Sequence, residues 1–264
     1  MRQRLGQHFL VNEEAVGVLI SSLGITAGEV VLEIGPGRGV LTGPLVDECK
    51  KNGARLVVVE KDELLARELK DRYSAAALDV VVGDIRIELS GLVASFGKTP
   101  YLLVGNIPYY LTGHLLALVG ELPHRPRKAI FTVQEEVANR VAALPPQMNR
   151  LAAAVQVWAT PRILMRLSEN DFSPPPEVRS AIIMLTALAD APQGDRLRKY
   201  YAVMRALFSQ PRKTIENNLL GLAGVTRETI RAALAGMDLI PTARPQDLSI
   251  ENIKTIEGSL GDII

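Results

Sequence analysis

Glu29-Val30-Val31-Leu32-Glu33-Ile34-Gly35-Pro36-Gly37-Arg38-Gly39 decides the fold. Glu29 to Ile34 is a short, mostly apolar run of the length expected for a buried strand. The glycines that end it let the backbone turn tightly and come close to a ligand. Leu41 to Lys50 then reads as a helix, whose N-terminus would favour an anionic group. Working outward, the same strand-and-helix unit recurs. Arg55 to Glu60, Leu78 to Val82, Tyr101 to Val104 and Lys128 to Val133 read as strands. Residues 12–22, with Val16, Leu19 and Ile20 on one face, read as a helix, as do Asp62 to Arg72, Leu111 to Leu122 and Glu135 to Ala143. Such alternation implies an α/β fold with a parallel, doubly wound sheet. Two further strand candidates, Val155 to Ala159 and Ala181 to Leu185, flank the cluster Pro174-Pro175-Pro176.

After Thr186 the pattern changes. Ala187 to Gly194 resembles a linker, and beyond it lie only helical patterns: Asp195 to Phe208, Lys213 to Leu222, Thr226 to Ala235 and Ile250 to Leu260. The expectation is a Rossmann-like domain over residues 1–188 and a small all-helical domain over 189–264.

Composition sets bounds. A chain of 264 residues, 47% hydrophobic and 22% charged, can bury a full core. A lone Cys49 excludes an internal disulfide and a cysteine metal cluster, and fits a reducing cytoplasm. His8, His114 and His124 have no metal-ligand spacing, so no metal is expected. No apolar run follows Arg2 and Arg4, and no stretch reaches the roughly 18 apolar residues of a membrane span, so a cytoplasmic protein is expected. Net charge is +1, which neither announces nor excludes a nucleic-acid partner. Nothing points to an obligate dimer, and a monomer is expected.

Three strand ends carry candidate ligand groups. The glycine loop departs from the dinucleotide fingerprint, because Val40 stands where its third glycine belongs. Glu60 ends the second strand, where a carboxylate can accept both hydroxyls of a ribose. Asp84, in Gly83-Asp84-Ile85, can accept from an adenine amine. Singly, each has a bland alternative as a tight turn, a helix cap or a solvated acid. Together they lie on the one sheet edge where ligands bind. Glu33-Ile34-Gly35-Pro36-Gly37-Arg38-Gly39 resembles the first motif of methyltransferases that use S-adenosylmethionine (SAM), which implies a SAM site there.

Asn106-Ile107-Pro108-Tyr109 follows the strand-like Tyr101 to Gly105. An amide oxygen, a stiff backbone and an aromatic face in one place suit the exocyclic amine of a flat heterocycle. A buried Tyr in a turn is the alternative. The four residues match the (N/D)-(I/P/L)-P-(Y/F/W) pattern of methyltransferases that act on amino nitrogens, adenine N6 above all.

With these motifs stand Leu5-Gly6-Gln7-His8-Phe9-Leu10, Gln134-Glu135-Glu136-Val137-Ala138-Asn139-Arg140 and Phe172-Ser173-Pro174-Pro175-Pro176-Glu177-Val178-Arg179-Ser180. Arg212-Lys213-Thr214-Ile215, Asn217-Asn218-Leu219 and Arg244-Pro245 follow. Over nearly its whole length the chain resembles the KsgA/RsmA family of bacterial 16S rRNA adenine dimethyltransferases. The resemblance implies N6,N6-dimethylation of two adjacent adenosines in the 3′-terminal hairpin loop of 16S rRNA, within an immature 30S subunit. It implies SAM contacts at Gln7, His8, Leu10, Gly35, Gly37, Glu60, Asp84, Ile85 and Asn106. Asn106 and the Ile107 carbonyl would accept the target amine's hydrogens beside Pro108, with Tyr109 stacked on one face of the base. Phe172 would stack on the other face, or else anchor the core beside the proline turn.

Some positions depart from the family pattern. His8 stands where Asn is frequent, Glu135 and Glu177 where Lys is common, and Pro211 and Glu216 replace basic residues. These put in doubt the details of RNA docking rather than the methyl transfer. The nearest rival is the Erm type, which acts on 23S rRNA. A binding module without activity and a small-molecule N-methyltransferase are more distant. The triple proline and Arg212-Lys213-Thr214-Ile215 favour the KsgA type.

Overall fold

Apolar runs that end in glycine or a carboxylate become parallel strands whose polar tips meet at one edge. The computed structural model describes residues 8–74, 78–237, 239, 242–261 and 263. The strands are β1 (Phe9–Leu10), β2 (Val30–Ile34), β3 (Arg55–Glu60), β4 (Leu78–Val82), β5 (Tyr101–Asn106), β6 (Lys128–Gln134), β7 (Ala159–Leu167), β8 (Phe172–Ser173) and β9 (Ser180–Ala187). Seven of them form one sheet in the order β4-β3-β2-β5-β6-β9-β7. The run β4-β3-β2-β5-β6 is parallel, and β9 joins β6 antiparallel. The chain winds outward from β2 to β4, then returns to β5 on the other side of β2. That reversal opens a crevice at the strand C-termini, where α/β sheets bind ligands.

The helices are α1 (Glu13–Leu23), α2 (Thr42–Asn52), α3 (Glu63–Arg72), α4 (Ile85–Ser95), α5 (Thr112–Glu121), α6 (Glu135–Val141), α7 (Arg150–Gln156), α8 (Gly194–Leu207), α9 (Ile215–Leu219), α10 (Arg227–Leu234) and α11 (Ile250–Leu260). Their starts are written locally. Asn12, Asp62 and Asp84 each accept a backbone N–H of the first turn of α1, α3 and α4. Gly105 lets β5 close on β2, since a Cβ there would lie 2.5 Å from the Ile34 carbonyl oxygen. No helix among the described residues is long and apolar enough to cross a membrane.

Several elements differ from expectation, the short strands β1 and β8 among them. Helix α4 fills residues between the third and fourth strands for which the sequence reading names no element, and it buries Ile85, Leu89 and Val93. The strand expected over Val155 to Ala159 is instead the end of α7, and strand β7 begins at Ala159. Asn149 caps α7 through Leu151 and Ala152, and the alanines at 152–154 favour helix. Buried Gln156 then anchors the helix end by donating to the carbonyls of Val141 and Ala143.

The chain forms two compact units, Met1–Asn139 with Pro161–Ala187, and Arg140–Thr160 with Leu188–Ile264. One division falls beside the expected boundary after residue 188, but residues 140–160 group with the C-terminal helices. The first unit is cored by the sheet, with Val31, Val58, Val104, Ile130 and Ile182 buried among helix residues such as Leu19 and Leu45. In the second, α8 packs on α7, α9 and α11. Tyr200 and Tyr201 of α8 donate their hydroxyls to the carbonyls of Ala153 and Ala154. Buried Asn218 donates to the carbonyls of Gln210, Lys213 and Thr214, fixing the turn that exposes Arg212 and Lys213.

Candidate active site

A cavity of about 570 Å³ opens at the C-terminal ends of β2, β3, β4 and β5. Its size lies within the range of small-ligand sites. Gly35, Gly37 and Gly39 all have positive φ, the conformation glycine adopts without strain. The Phe9 ring lies over this loop, close enough that a Cβ on Gly37 would come within 2.8 Å of it. The Arg38 guanidinium sits 4.9 Å from the centre of the same ring.

Glu60 ties the loop to the tip of β3. One carboxylate oxygen accepts from the Gly37 N–H at 3.0 Å and the other from the Asp62 N–H at 2.8 Å. Each oxygen keeps a second lone pair for a ligand hydroxyl. Burial raises the Glu60 pKa, and the hydrogen bond from Gly37 partly offsets the rise. Beneath the loop, Glu33 is 1% exposed and accepts from the Thr42 hydroxyl at 2.7 Å. Burial pushes its pKa up to about 8 despite that bond, and the charge of Glu60 adds to the rise.

Asp84 is the cap of α4 as well as a wall of the cavity. It accepts from the Arg86 backbone and side chain, and from Lys61 at 3.0 Å. The Arg86 hydrogen bonds hold its carboxyl far below the usual range. Ile85, 6% exposed, supplies apolar wall beside it.

On the opposite wall, Asn106 ends β5 and donates its side-chain amide to the His8 carbonyl at 2.7 Å. With the nitrogen held there, the amide turns its Oδ1, an acceptor, the other way, and keeps one further N–H on the nitrogen. The Ile107 N–H donates to the Thr132 carbonyl at 3.3 Å, which keeps the turn on the tip of β6. Pro108 then bends the chain into a single 3₁₀ turn, Tyr109–Leu111. Tyr109 stacks on the His8 ring with centroids 6.0 Å apart and planes at 21°. Its hydroxyl shares a hydrogen bond of 2.7 Å with the hydroxyl of buried Ser180. Burial raises the Tyr109 pKa, so the phenol stays protonated at neutral pH. His8 Nδ1 lies 2.9 Å from the Pro174 carbonyl oxygen, linking this wall to the triple-proline segment.

The structure therefore brings together His8, Gly35, Gly37, Glu60, Asp84, Ile85, Asn106, Ile107, Pro108 and Tyr109 around one cavity. Gln7 lies outside the described residues. Leu10 and Phe172 face one another across the antiparallel β1–β8 pair and are 2% and 4% exposed, both within the core. The core takes up the Phe172 ring, leaving little of it for the stacking role expected from the sequence. Sequence reasoning passed over Phe9, Lys61, Ser180 and exposed Tyr110. Phe9 and Ser180 lay inside quoted motifs, but nothing in their identity alone announced a contact.

The family model for ribosomal RNA adenine dimethylase matches residues 1–254. The chain belongs to this family. Among curated relatives, ribosomal RNA small subunit methyltransferase A of Acidobacterium capsulatum is 33% identical over 266 residues, covering 99% of this chain and 92% of its own. The fold is also that of a dimethyladenosine transferase from Plasmodium falciparum, with a TM-score of 0.82, 21% identity and coverage of 97% and 98% of the two chains. The 23S rRNA methyltransferase ErmE gives a TM-score of 0.75 at 24% identity, covering 96% and 99%. At that distance both structures speak for architecture alone. As an rRNA adenine dimethylase, the chain is an enzyme in which the Asn106–Tyr109 turn and the glycine loop face one cavity.

Proposed function

We propose that this dimethylase transfers methyl groups from SAM to N6 of two adjacent adenosines in the 3′-terminal hairpin loop of 16S rRNA, within the immature 30S subunit. The observation that carries the reading is the Asn106 amide, oriented by His8 so that its oxygen serves as acceptor beside Tyr109.

The donor set fits SAM. Gly35 and Gly37 offer backbone to its methionine and ribose portions, and Glu60 offers two lone pairs to the ribose hydroxyls. Ile85 gives the adenine an apolar wall. Asp84 already carries several donors, and Lys61, 67% exposed, is the contact that yields to the adenine amine. When bound, SAM supplies an electrophilic methyl on a sulfonium leaving group, so the protein need not provide a strong base.

The protein's part is to prepare the target nitrogen. An adenine amine is a poor nucleophile because its lone pair is delocalised into the ring. Accepting its hydrogens on Asn106 Oδ1 and the Ile107 carbonyl favours a pyramidal nitrogen with a localised lone pair. Acceptors fixed in advance act electrostatically, and holding the amine in line with the methyl lowers the entropic barrier. The base leaves its stack to enter the cavity and lies on Tyr109. Phe172 acts from behind, pairing with Leu10 to fix the strand that follows His8. The helical unit, with Arg212 and Lys213 exposed, docks on the rRNA.

The test uses purified protein, labelled SAM and both ribosomal subunits from cells lacking the modification. Label confined to 16S RNA supports the reading. Label in 23S RNA would transfer the enzyme to the Erm type.

A further inference from the structure

We propose that Arg166 and Arg179, organised by Glu135, form a seat for a backbone phosphate of the RNA next to the target adenosine. This rests on the rRNA reading above and extends it to a substrate contact outside the cavity.

The seat adjoins the target-base wall through the fold itself. Tyr109 is hydrogen-bonded to Ser180, and Ser180 pairs in register with Gln134 across β6 and β9. Arg179 and Glu135 lie one residue beyond these strand ends, and the Glu135 N–H donates to the Arg179 carbonyl at 3.0 Å. The Glu135 carboxylate holds Arg166 Nη1 at 2.5 Å and lies 3.8 Å from Arg179 Nε. Asn139 Oδ1 accepts from the same Arg166 nitrogen at 3.2 Å. Both guanidinium groups remain more than half exposed, at 51% and 63%, while Glu135 is 21% exposed.

An exposed ion pair of this kind adds little to stability. Two planar guanidiniums gathered on one carboxylate, with Arg179 next in chain to the Ser180 that bonds Tyr109, are suited to a phosphate, which they can bind through paired N–H donors. Arg166 engages Glu135 and Asn139 through Nη1, so its Nε and Nη2 hydrogens are available to a phosphate. Glu135 thus orients the pair, yet its charge also opposes an incoming phosphate. The two effects separate on substitution.

The experiment measures binding to 16S rRNA across a salt series, with methyl-transfer kinetics on small subunits, for wild type, Arg166→Gln, Arg179→Gln, Arg179→Lys and Glu135→Gln. Thermal melts and SAM affinity serve as folding controls. Each Arg→Gln change is expected to reduce the log–log salt slope by about 0.7 and to raise KM for RNA several-fold, with kcat and SAM affinity unchanged. Arg179→Lys should keep the salt slope, because its charge remains. Glu135→Gln keeps an acceptor for Arg166 but removes the charge, and should bind more tightly at every salt concentration. Wild-type slopes in both Arg→Gln variants would overturn the proposal. So would defects seen only with whole subunits and not with free RNA, which would make this a protein-binding surface. Wild type is scored first: if it methylates no rRNA, the seat loses its ligand together with the functional reading.

Discussion

Asn106 donates its side-chain amide to the backbone carbonyl of His8 at 2.7 Å, joining positions 98 residues apart. The bond fixes which end of the amide is left to accept from a ligand. Asn106→Ala removes that acceptor, and single-turnover methyl transfer should slow by about 10²- to 10³-fold. Asn106→Asp should be at least as slow, because a carboxylate cannot donate to the His8 carbonyl and would repel it. Rates within about threefold of wild type would remove Asn106 from the chemistry.

Gly37 is held between a positive φ of 58° and the Phe9 ring. Gly37→Ala should weaken SAM binding, measured by calorimetry, because the loop must shift away from Glu60. The strained backbone alone costs about 1–2 kcal/mol. Unchanged SAM affinity would mean that the loop does not contact the cofactor.

The Tyr109–Ser180 hydrogen bond gives a prediction of coupling. Ser180→Ala leaves a half-buried phenol without its partner, at a cost of about 1–3 kcal/mol. It should lower kcat/KM for RNA about tenfold while sparing SAM affinity. Tyr109→Phe should behave alike, and the double variant should be little worse than either single one. Additive losses would show that the two hydroxyls act separately.

Buried Glu33 gives stability a pH dependence of defined sign. Its folded pKa is raised from 4.5 to about 8, so the folded chain keeps a proton that the unfolded chain releases above pH 4.5. Its contribution is therefore full below pH 4.5 and is lost as pH rises towards 8, with a slope of at most about 1.4 kcal/mol per pH unit. Glu33→Gln is neutral throughout and should abolish that part of the decline in urea midpoints between pH 5 and pH 8. Parallel curves for the two proteins would show that Glu33 is ionised in the fold.

Much of this was legible in the sequence because strand tips announce themselves chemically. Glycines, Glu60, Asp84 and Asn106 each end an apolar run, and a parallel sheet places such ends on one edge. Helix α4 was harder to read: Ile85, Leu89 and Val93 recur at helical spacing and are buried, but Ile87 gives the same stretch a strand-like alternation with Ile85 and Leu89, and Gly91 interrupts it. The stretch from Val155 misled for a related reason: a short apolar run reads equally as strand or buried helix. Contacts between distant segments were also invisible. No local pattern tells that the Phe172 ring meets Leu10 in the core, or that Glu135 and Glu216, acids in places where basic residues are common, pair with arginines. Glu135 holds Arg166, and Glu216 lies 2.5 Å from Arg227.

The central claim is dimethylation of adenine nitrogen in small-subunit RNA by the Asn106 site. The most direct measurement digests 16S RNA after reaction with wild-type or Asn106→Ala protein and identifies the nucleosides and their positions by mass spectrometry. N6,N6-dimethyladenosine at two adjacent positions near the 3′ end, formed by wild type and nearly absent with the variant, is the predicted result. Methylation on ribose, on another base or equally by the variant would contradict it.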